Sequence, residues 1–335
     1  MNIKLVKKKE DVETWNSFIR NNSGSIFHQF KWLRILAKNS GTKFWPLMGF
    51  KGNELIYILP LFHSRKMLLD IVTSPPPGGS VPYLGPIIKT SSNRRSQVEL
   101  THKEIVKSIE KFIFGKLGKK PNIIKMQFGD IDVRPFIWED FETEPIYNYE
   151  IELDKSIEEI QSSFSKSERH NLRKIIENKE ISVSNGGLNE LLNINNLVRG
   201  RYNQQNIRYD ISDNYLSEIY AEYKEEIEVL VLTKKNIIVN GIILFKSGKK
   251  VGHWIGAINR GKQTGGEVTL LHWEAIKLSK LKGAKSYDLC GANTLHLCTY
   301  KSKLNPSLKL RFSIVKQDIV GNIINKIYKK IKNIS

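Results

Sequence analysis

The stretch Val229 to Cys290, VLVLTKKNIIVNGIILFKSGKKVGHWIGAINRGKQTGGEVTLLHWEAIKLSKLKGAKSYDLC, decides how this chain folds. Val229–Thr233, Ile237–Lys246 and Lys250–Ile258 are three runs of strand-forming residues, parted by tight turns at Lys235-Asn236 and Ser247-Gly248. A glycine-bearing turn, Asn259 to Gly266, leads into Glu267–Lys282, whose apolar residues recur at the helical period, and Ser286–Cys290 reads as a strand after it. Three antiparallel strands, a turn, a long helix and a further strand make an α+β arrangement. The strict βαβ alternation of a dinucleotide-binding fold is a different pattern.

Upstream, the same half holds a strand at Tyr149–Leu153 and helices at Ser156–Phe164, Glu168–Glu177, Leu188–Tyr202 and Ser212–Tyr223. The first half uses similar grammar. Asp11–Arg20 and Phe30–Lys38 place Val12, Trp15, Phe18 and Ile19, and Trp32, Leu33, Ile35 and Leu36, on single helical faces. Lys43–Lys51 and Glu54–Phe62 form a hairpin across Lys51-Gly52-Asn53, and Met67–Thr73 is a candidate third strand. Val98–Leu117 is helical and Asn122–Gln127 a short strand. Between them Ser74 to Pro86 is too rich in proline and glycine for regular structure, so it is an ordered loop or a linker. Two similar halves suggest duplication.

The 335 residues carry 53 Lys+Arg against 34 Asp+Glu, a formal charge of +19, with 40% hydrophobic residues. This is a globular composition with enough apolar material for two modest cores, which excludes general disorder. No apolar run approaches the roughly 18 residues of a membrane helix, and Met1–Val6 followed by Lys7, Lys8 and Lys9 does not resemble a secretory signal, so a cytoplasmic protein is expected. Two cysteines, Cys290 and Cys298, are no disulfide framework. The excess charge admits three readings: acidic or lipid-linked substrates, nucleic acid, or a compositional bias toward lysine.

The turn holding Gly261, Gly265 and Gly266 precedes a helix N-terminus that can hold an anion, but it matches no phosphate-binding pattern and serves equally as a turn that needs glycine. Cys290, His296 and Cys298 have no zinc spacing, and the other histidines are scattered, so no metal site is expected. Arg169, Arg173 and Lys174 form a basic helix face that is either a phosphate contact or merely solvated. Tyr300-Lys301, ten residues past Cys290, stands out only in context, where a lysine near the end of a strand can supply a fixed positive charge to an oxyanion; alone it is an ordinary pair. At the C-terminus Ile319, Ile323, Ile327 and Ile331 recur every four residues beside Lys326, Lys329, Lys330 and Lys332. That stripe either docks on the protein's own body or lies on an anionic membrane.

Taken in order, several pieces resemble the FemABX superfamily of peptidoglycan-bridge aminoacyltransferases and the related acyltransferases with a BioF2-like acetyltransferase domain. The pieces are Phe27-His28-Gln29-Phe30-Lys31-Trp32, the Ser74–Pro86 loop, Phe164 to Lys174, Leu271 to Ile276, Gly283 to Gly291, and Tyr300-Lys301. The resemblance spans nearly the whole chain through the order and spacing of motifs. It implies two tandem GNAT-like domains with mixed, mostly antiparallel sheets flanked by helices: residues 1–147, residues 148–305, a strand at 306–318 returning to the first domain, and a basic amphipathic helix at 319–335.

The resemblance also implies an enzyme that moves an acyl or aminoacyl group from acyl-CoA or aminoacyl-tRNA to an amine of a cell-envelope or polysaccharide precursor. No cofactor would be tightly bound, and a monomer is expected, with peripheral membrane contact through the C-terminal helix as an option. The family's Phe-Lys pair, whose lysine is thought to stabilise the tetrahedral intermediate, falls on Tyr300-Lys301 with the aromatic changed. The family's substrate-phosphate lysine, four residues after Trp32, falls on Leu36, and Lys38 is the nearest lysine. Arg201 or Arg208 takes the place of the second-domain arginine. Amine attack on an ester or thioester needs alignment and oxyanion stabilisation only, so the lack of a catalytic triad is no objection. The alternative is a GNAT-like module without catalysis that binds RNA or an acidic polymer.

Overall fold

A computed structural model describes residues 1–66, 69–89, 92–129, 131–235, 237–258 and 266–324. It divides into two compact units, Met1–Pro145 with Arg311–Ser335, and Ile146–Leu310.

In the first unit β1 (Asn2–Leu5) precedes helices α1 (Lys9–Asn21) and α2 (Phe30–Ser40). Their apolar faces are buried through Trp15, Phe18, Ile19, Trp32, Leu33 and Leu36, as the sequence period requires. Gly41, at φ +63°, closes α2 in the left-handed conformation that ends many helices. Then come β2 (Lys43–Lys51), β3 (Glu54–Lys66), β4 (Leu69–Ser74), β5 (Ile87–Ile88), α3 (Arg95–Leu117), β6 (Ile123–Phe128) and α4 (Arg134–Ile137). The strand order is β1-β2-β3-β4-β6-β13, where β13 is Ser307–Gln317, and β5 pairs with β3. All these pairs are antiparallel except β4–β6, which run parallel from Ile71↔Ile123 to Ser74↔Met126. Ile105, Ile109 and Ile113 of α3 pack on Leu47, Leu59, Val72, Ile124 and Met126 of the sheet.

The proline-rich stretch after β4 is part of this unit's core. Its Leu84 bridges to Phe128 in parallel and donates its N–H to the Gln127 carbonyl at 3.0 Å. Gly85, at φ +66°, donates to Ser74 Oγ at 3.2 Å, and a Cβ on it would lie 2.2 Å from the Phe128 ring. The Arg311 guanidinium lies 4.3 Å from the centre of the Tyr83 ring.

The second unit is built from β7 (Glu142–Glu152), α5 (Ile157–Ser163), α6 (Lys166–Ile176), β8 (Ile181–Asn185), α7 (Leu188–Gln204), α8 (Asp213–Glu222), β9 (Ile227–Lys234), β10 (Ile237–Ser247), β11 (Lys250–Ile258), α9 (Glu267–Leu281), β12 (Ser286–Asp288) and α10 (Leu295–Lys301). Its strands run β7-β12-β11-β10-β9-β8, and again one pair is parallel, β11–β12. Leu271, Ala275 and Ile276 of α9 and Leu172 and Ile175 of α6 pack on Leu232, Ile242, Leu244 and Tyr287.

Three expectations need correction. β12 stops at Asp288, short of Cys290, because Cys290 and Gly291 take left-handed backbone angles of +51° and +56° that no strand accommodates. Tyr300-Lys301 closes helix α10, where the sequence reading placed it near a strand end. β8 and the earlier start of β7 at Glu142 were not foreseen. At the C-terminus a helix is described over 319–324, and the remainder of the expected helix, 325–335, lies outside the described residues, as do Gly261 and Gly265.

Candidate functional site

The parallel pair β11–β12 is short. It joins Lys250–Gly252 to Ser286–Asp288, after which β11 continues for six residues with no strand partner on that side among the described residues. At that point β11 also carries a bulge. Leu244 pairs with His253 and Ile243 with Ile255, so Trp254 is the extra residue, which re-aims the side chains around it. The divergence of the two strands creates the place where this unit gathers its polar groups.

Lys301 is the centre of the gathering. It is 8% exposed. Its ammonium donates to the carbonyls of Leu289 at 2.9 Å, Gly291 at 3.0 Å and Cys290 between them. Three N–H donors therefore hold three consecutive carbonyls, which fixes the left-handed turn that ends β12. The other side of the turn is tied as firmly: Cys290 N–H donates to Asp288 Oδ1 at 2.8 Å, Gly291 N–H to Asn148 Oδ1 at 3.1 Å, and Asn148 Nδ2 to the Asp288 carboxylate at 3.2 Å. Burial lowers the pKa of Lys301, and the neighbouring Cys290 and Asp288 oppose that effect.

Two histidines stand beside the lysine. His253 on β11 and His272 on α9 meet edge to face with ring centres 5.2 Å apart. His272 Nδ1 is 2.8 Å from the Tyr287 hydroxyl, whose own pKa burial raises well above the usual phenol value. Burial pushes His253 down to about 3, with the Lys301 charge adding to the effect. Burial likewise holds His272 well below its usual value, helped by His253 and Lys301. Both imidazoles are neutral at ordinary pH. His253 Nε2 has no hydrogen-bond partner among the described residues, and it packs where a Cβ on Gly256 would lie 2.4 Å away. A buried imidazole nitrogen without a partner is uncommon and costs free energy.

A second polar chain runs from α6. Glu168, itself buried, accepts from Thr269 Oγ1 at 2.5 Å, and the Tyr300 hydroxyl lies 3.5 Å from the same threonine oxygen. Burial raises the Tyr300 pKa. Gly266 sits at φ +89° at the N-terminus of α9, where a Cβ would lie 3.1 Å from the Asn171 carbonyl, so this turn needs glycine for its backbone.

Of the residues singled out in the sequence, Tyr300, Lys301 and Gly266 fall within this unit's polar region. Arg201 is half-buried at the end of α7, 5.5 Å from the Tyr202 ring centre, and its charge is among those that depress His253. Arg208 stands apart, 83% exposed and paired with Asp210. Trp32 belongs to the other unit and has no exposed surface; it packs edge-on against Phe27 with ring centres 5.0 Å apart, which makes it a core residue. Lys38 is exposed in the last turn of α2. Among the described residues no group of three His, Cys, Asp or Glu side chains is arranged to hold a metal. The sequence reading missed His253, His272, Glu168, Thr269, Asp288 and Asn148, which come from five separate elements and share no spacing.

No family model matches this chain, and no curated protein does. Solved structures do. FemX superposes with a TM-score of 0.68 at 13% identity, covering 93% of this chain and 97% of that one. The C-terminal domain of a putative lysylphosphatidylglycerol synthetase from Agrobacterium fabrum gives 0.57 at 11% identity, covering 94% of each chain. A tandem GNAT protein from the clavulanic acid biosynthesis pathway gives 0.52 at 8% identity, covering 94% of this chain and 98% of that one. The expected fold is thereby confirmed: the chain has a tandem GNAT-like fold similar to that of FemX.

Proposed function

We propose that the second unit transfers an acyl or aminoacyl group to an amine. The observation that carries this reading is the buried lysine at the open end of the β11–β12 pair, set on a turn whose backbone groups are all engaged, in a fold shared with FemX. Attack of an amine on an ester or thioester carbonyl places negative charge on the carbonyl oxygen, and a preorganised cation at low dielectric stabilises that charge. Lys301 supplies the cation. Its three protons already serve the turn, so it acts by proximity of charge, or by giving up one of the three carbonyls to the developing oxyanion. The neutral pair His253 and His272 adds no competing positive charge.

The donor in this proposal is acyl-CoA or an aminoacyl-tRNA, and the acceptor an amino group of a cell-envelope or polysaccharide precursor. The net charge of +19 suits donors and acceptors that bear phosphate. The test is a donor screen. The full chain is incubated with acyl-CoAs or charged tRNAs and amine acceptors, and amide products are sought by mass spectrometry. Amide formed with one donor class supports the proposal. Absence of product with either class, together with RNA binding of steep salt dependence, would replace it with a binding module.

A further inference from the structure

The first unit has an open groove between its edge strand and its long helix. β1 pairs with β2 alone, and between Met1 and Ile3 on one side and α3 on the other lies a cavity of about 480 Å³. That volume is within the range of small-ligand sites, about 300–1,000 Å³. The helix side is formed by Ser108, Phe112 and Gly115, whose i, i+4, i+7 spacing puts them in one line along α3. Met1, Ile3 and Phe112 are half-buried against the core of the unit, and Phe112 is held edge-on by Trp45 with ring centres 5.9 Å apart, so the floor is apolar and fixed. Gly115 keeps the space clear. It lies inside the helix, where glycine is a poor former, and nothing lies within 4 Å of the place a Cβ would take, so no packing demands it.

Charge indicates what the groove takes. Lys111 and Lys116 border it on the two sides of that line, the Lys116 ammonium 5.7 Å from the centre of the Phe112 ring. Other lysines in and after α3 are neutralised, Lys107 by Glu139 at 3.7 Å and Lys119 by Asp70 at 2.9 Å. Lys111 and Lys116 have no carboxylate within ion-pair reach among the described residues, and no acidic residue lines the groove. Two uncompensated cations select an anion. Apolar walls require that it also carry hydrocarbon, since a fully hydrated ion gains nothing by leaving water. We propose that this groove binds a small amphipathic anion, a carboxylate or phosphate on a short hydrocarbon chain. The chain lies against Met1, Ile3 and Phe112, and the head is held between Lys111 and Lys116. This site is independent of the transfer chemistry proposed for the second unit.

The test is calorimetric titration of the full chain with octanoate and octyl phosphate, and with three controls: neutral octanol, acetate and inorganic phosphate. One-to-one binding of octanoate or octyl phosphate is expected, about tenfold or more tighter than any control and weakened by salt. Preference between the two amphiphiles tells a carboxylate ligand from a phosphate one. The double variant Lys111→Gln with Lys116→Gln should bind about tenfold or more weakly. Gly115→Leu fills the groove from the helix side and should abolish binding without lowering the melting temperature. Wild-type protein that binds neither amphiphile, or binds octanol equally well, overturns the proposal. So does binding that survives Gly115→Leu or the double lysine variant, because the ligand then sits elsewhere. A clearly lowered melting temperature in Gly115→Leu shows that the space is already packed. A wild-type dimer that Gly115→Leu dissociates shows that a second copy fills the groove, and either result overturns it too.

Discussion

The two units end their parallel strand pairs in opposite ways. In the first, β4 and β6 part after Ser74 and Met126, and the chain returns at once to fill the gap: Leu84 bridges to Phe128, and His28 fastens the returning loop. Both nitrogens of His28 are engaged, Nε2 with the Leu84 carbonyl at 3.0 Å and Nδ1 with Ser25 Oγ at 2.8 Å. In the second, β11 and β12 part after Gly252 and Asp288, and no such bridge forms among the described residues. The gap is bordered instead by Lys301 and by a histidine with an unpartnered Nε2. The same β-β-β-α-β frame is closed into a scaffold in one unit and left polar in the other. A histidine satisfied at both nitrogens is structural; one left open next to a buried cation marks where chemistry is to be sought.

The largest expected effect is on Lys301. Lys301→Met keeps the length of the side chain and removes the charge, and transfer should fall by about 10²-fold or more, as for loss of one group directed at an oxyanion. The turn Leu289–Gly291 loses three hydrogen bonds from a buried ammonium, so stability should also fall, by about 2–4 kcal/mol. Turnover is therefore to be compared per folded molecule. Activity within about twofold of wild type on that basis removes Lys301 from the mechanism and leaves it as the clamp of a turn.

Acid should separate the units next. His253, His272 and His28 are all buried and held below the unfolded value of about 6.5, His28 at about 4 and His253 at about 3. Above that value both states are neutral and nothing is gained or lost. As pH falls below it the unfolded chain binds protons that the folded chain refuses, so stability declines until the folded values are reached, at about 1.4 kcal/mol per pH unit for each histidine. The second unit holds two such histidines in contact, both fully buried, whereas the first holds His28 and, apart from it on α3, the partly buried His102, which burial also lowers. Amide exchange followed from pH 6.5 downward should show α9 and β11 losing protection more steeply than β2 and β3. Parallel loss would mean that the histidine pair does not control the acid response.

How much of this was legible in the sequence depends on whether the signal is local. The hairpins, α2 and α9 are written in alternation, helical period and the turn glycine Gly52, and the observed elements match those readings within a few residues. β8 has only Ile181 and Val183 as apolar residues and pairs on one side with β9, so its strand character comes from its partner. α10 mixes aromatic and β-branched residues and has no side-chain cap at Thr294, which hides it from propensity. The polar cluster was invisible for a different reason. His253 and Asp288 come near each other only because the sheet order places β12 beside β11, and Glu168 reaches Thr269 only because α6 packs on α9; no spacing encodes either. Tyr300-Lys301 was singled out through family resemblance alone. A histidine followed three residues later by glycine, His253 and Gly256, is the one local trace, and it gains meaning only once the bulge at Trp254 turns them together.

The glycines of the two units sharpen the contrast between filled and open. Gly85 and Gly291 both have positive φ, at +66° and +56°. An alanine pays the backbone cost at either, about 1 kcal/mol. At Gly85 the added methyl also meets the Phe128 ring at 2.2 Å, whereas at Gly291 nothing lies within 4 Å. Gly85→Ala should therefore lower stability by about 2–4 kcal/mol and Gly291→Ala by about 1 kcal/mol, measured by urea unfolding. Equal losses would show that the loop in the first unit yields easily and does not plug the gap.

The smallest effect is expected at Tyr300, the partner of Lys301 in the motif. Its hydroxyl lies 3.5 Å from Thr269 Oγ1, at the outer limit of a hydrogen bond, while that threonine already donates to Glu168 at 2.5 Å. The ring itself packs near His272, with centres 6.1 Å apart, and contributes most of what the residue buries. Tyr300→Phe keeps the ring and removes one weakly engaged oxygen, so both stability and transfer should change by less than about 1 kcal/mol. The family resemblance points the same way, since phenylalanine is the residue it would place there. If Tyr300→Phe instead cost as much activity as Lys301→Met while the melting temperature held, the phenol would be acting on substrate directly. The chain from Glu168 through Thr269 to Tyr300 would then be the polar line that orients it, and the lysine would share the chemistry of this gap with its neighbour.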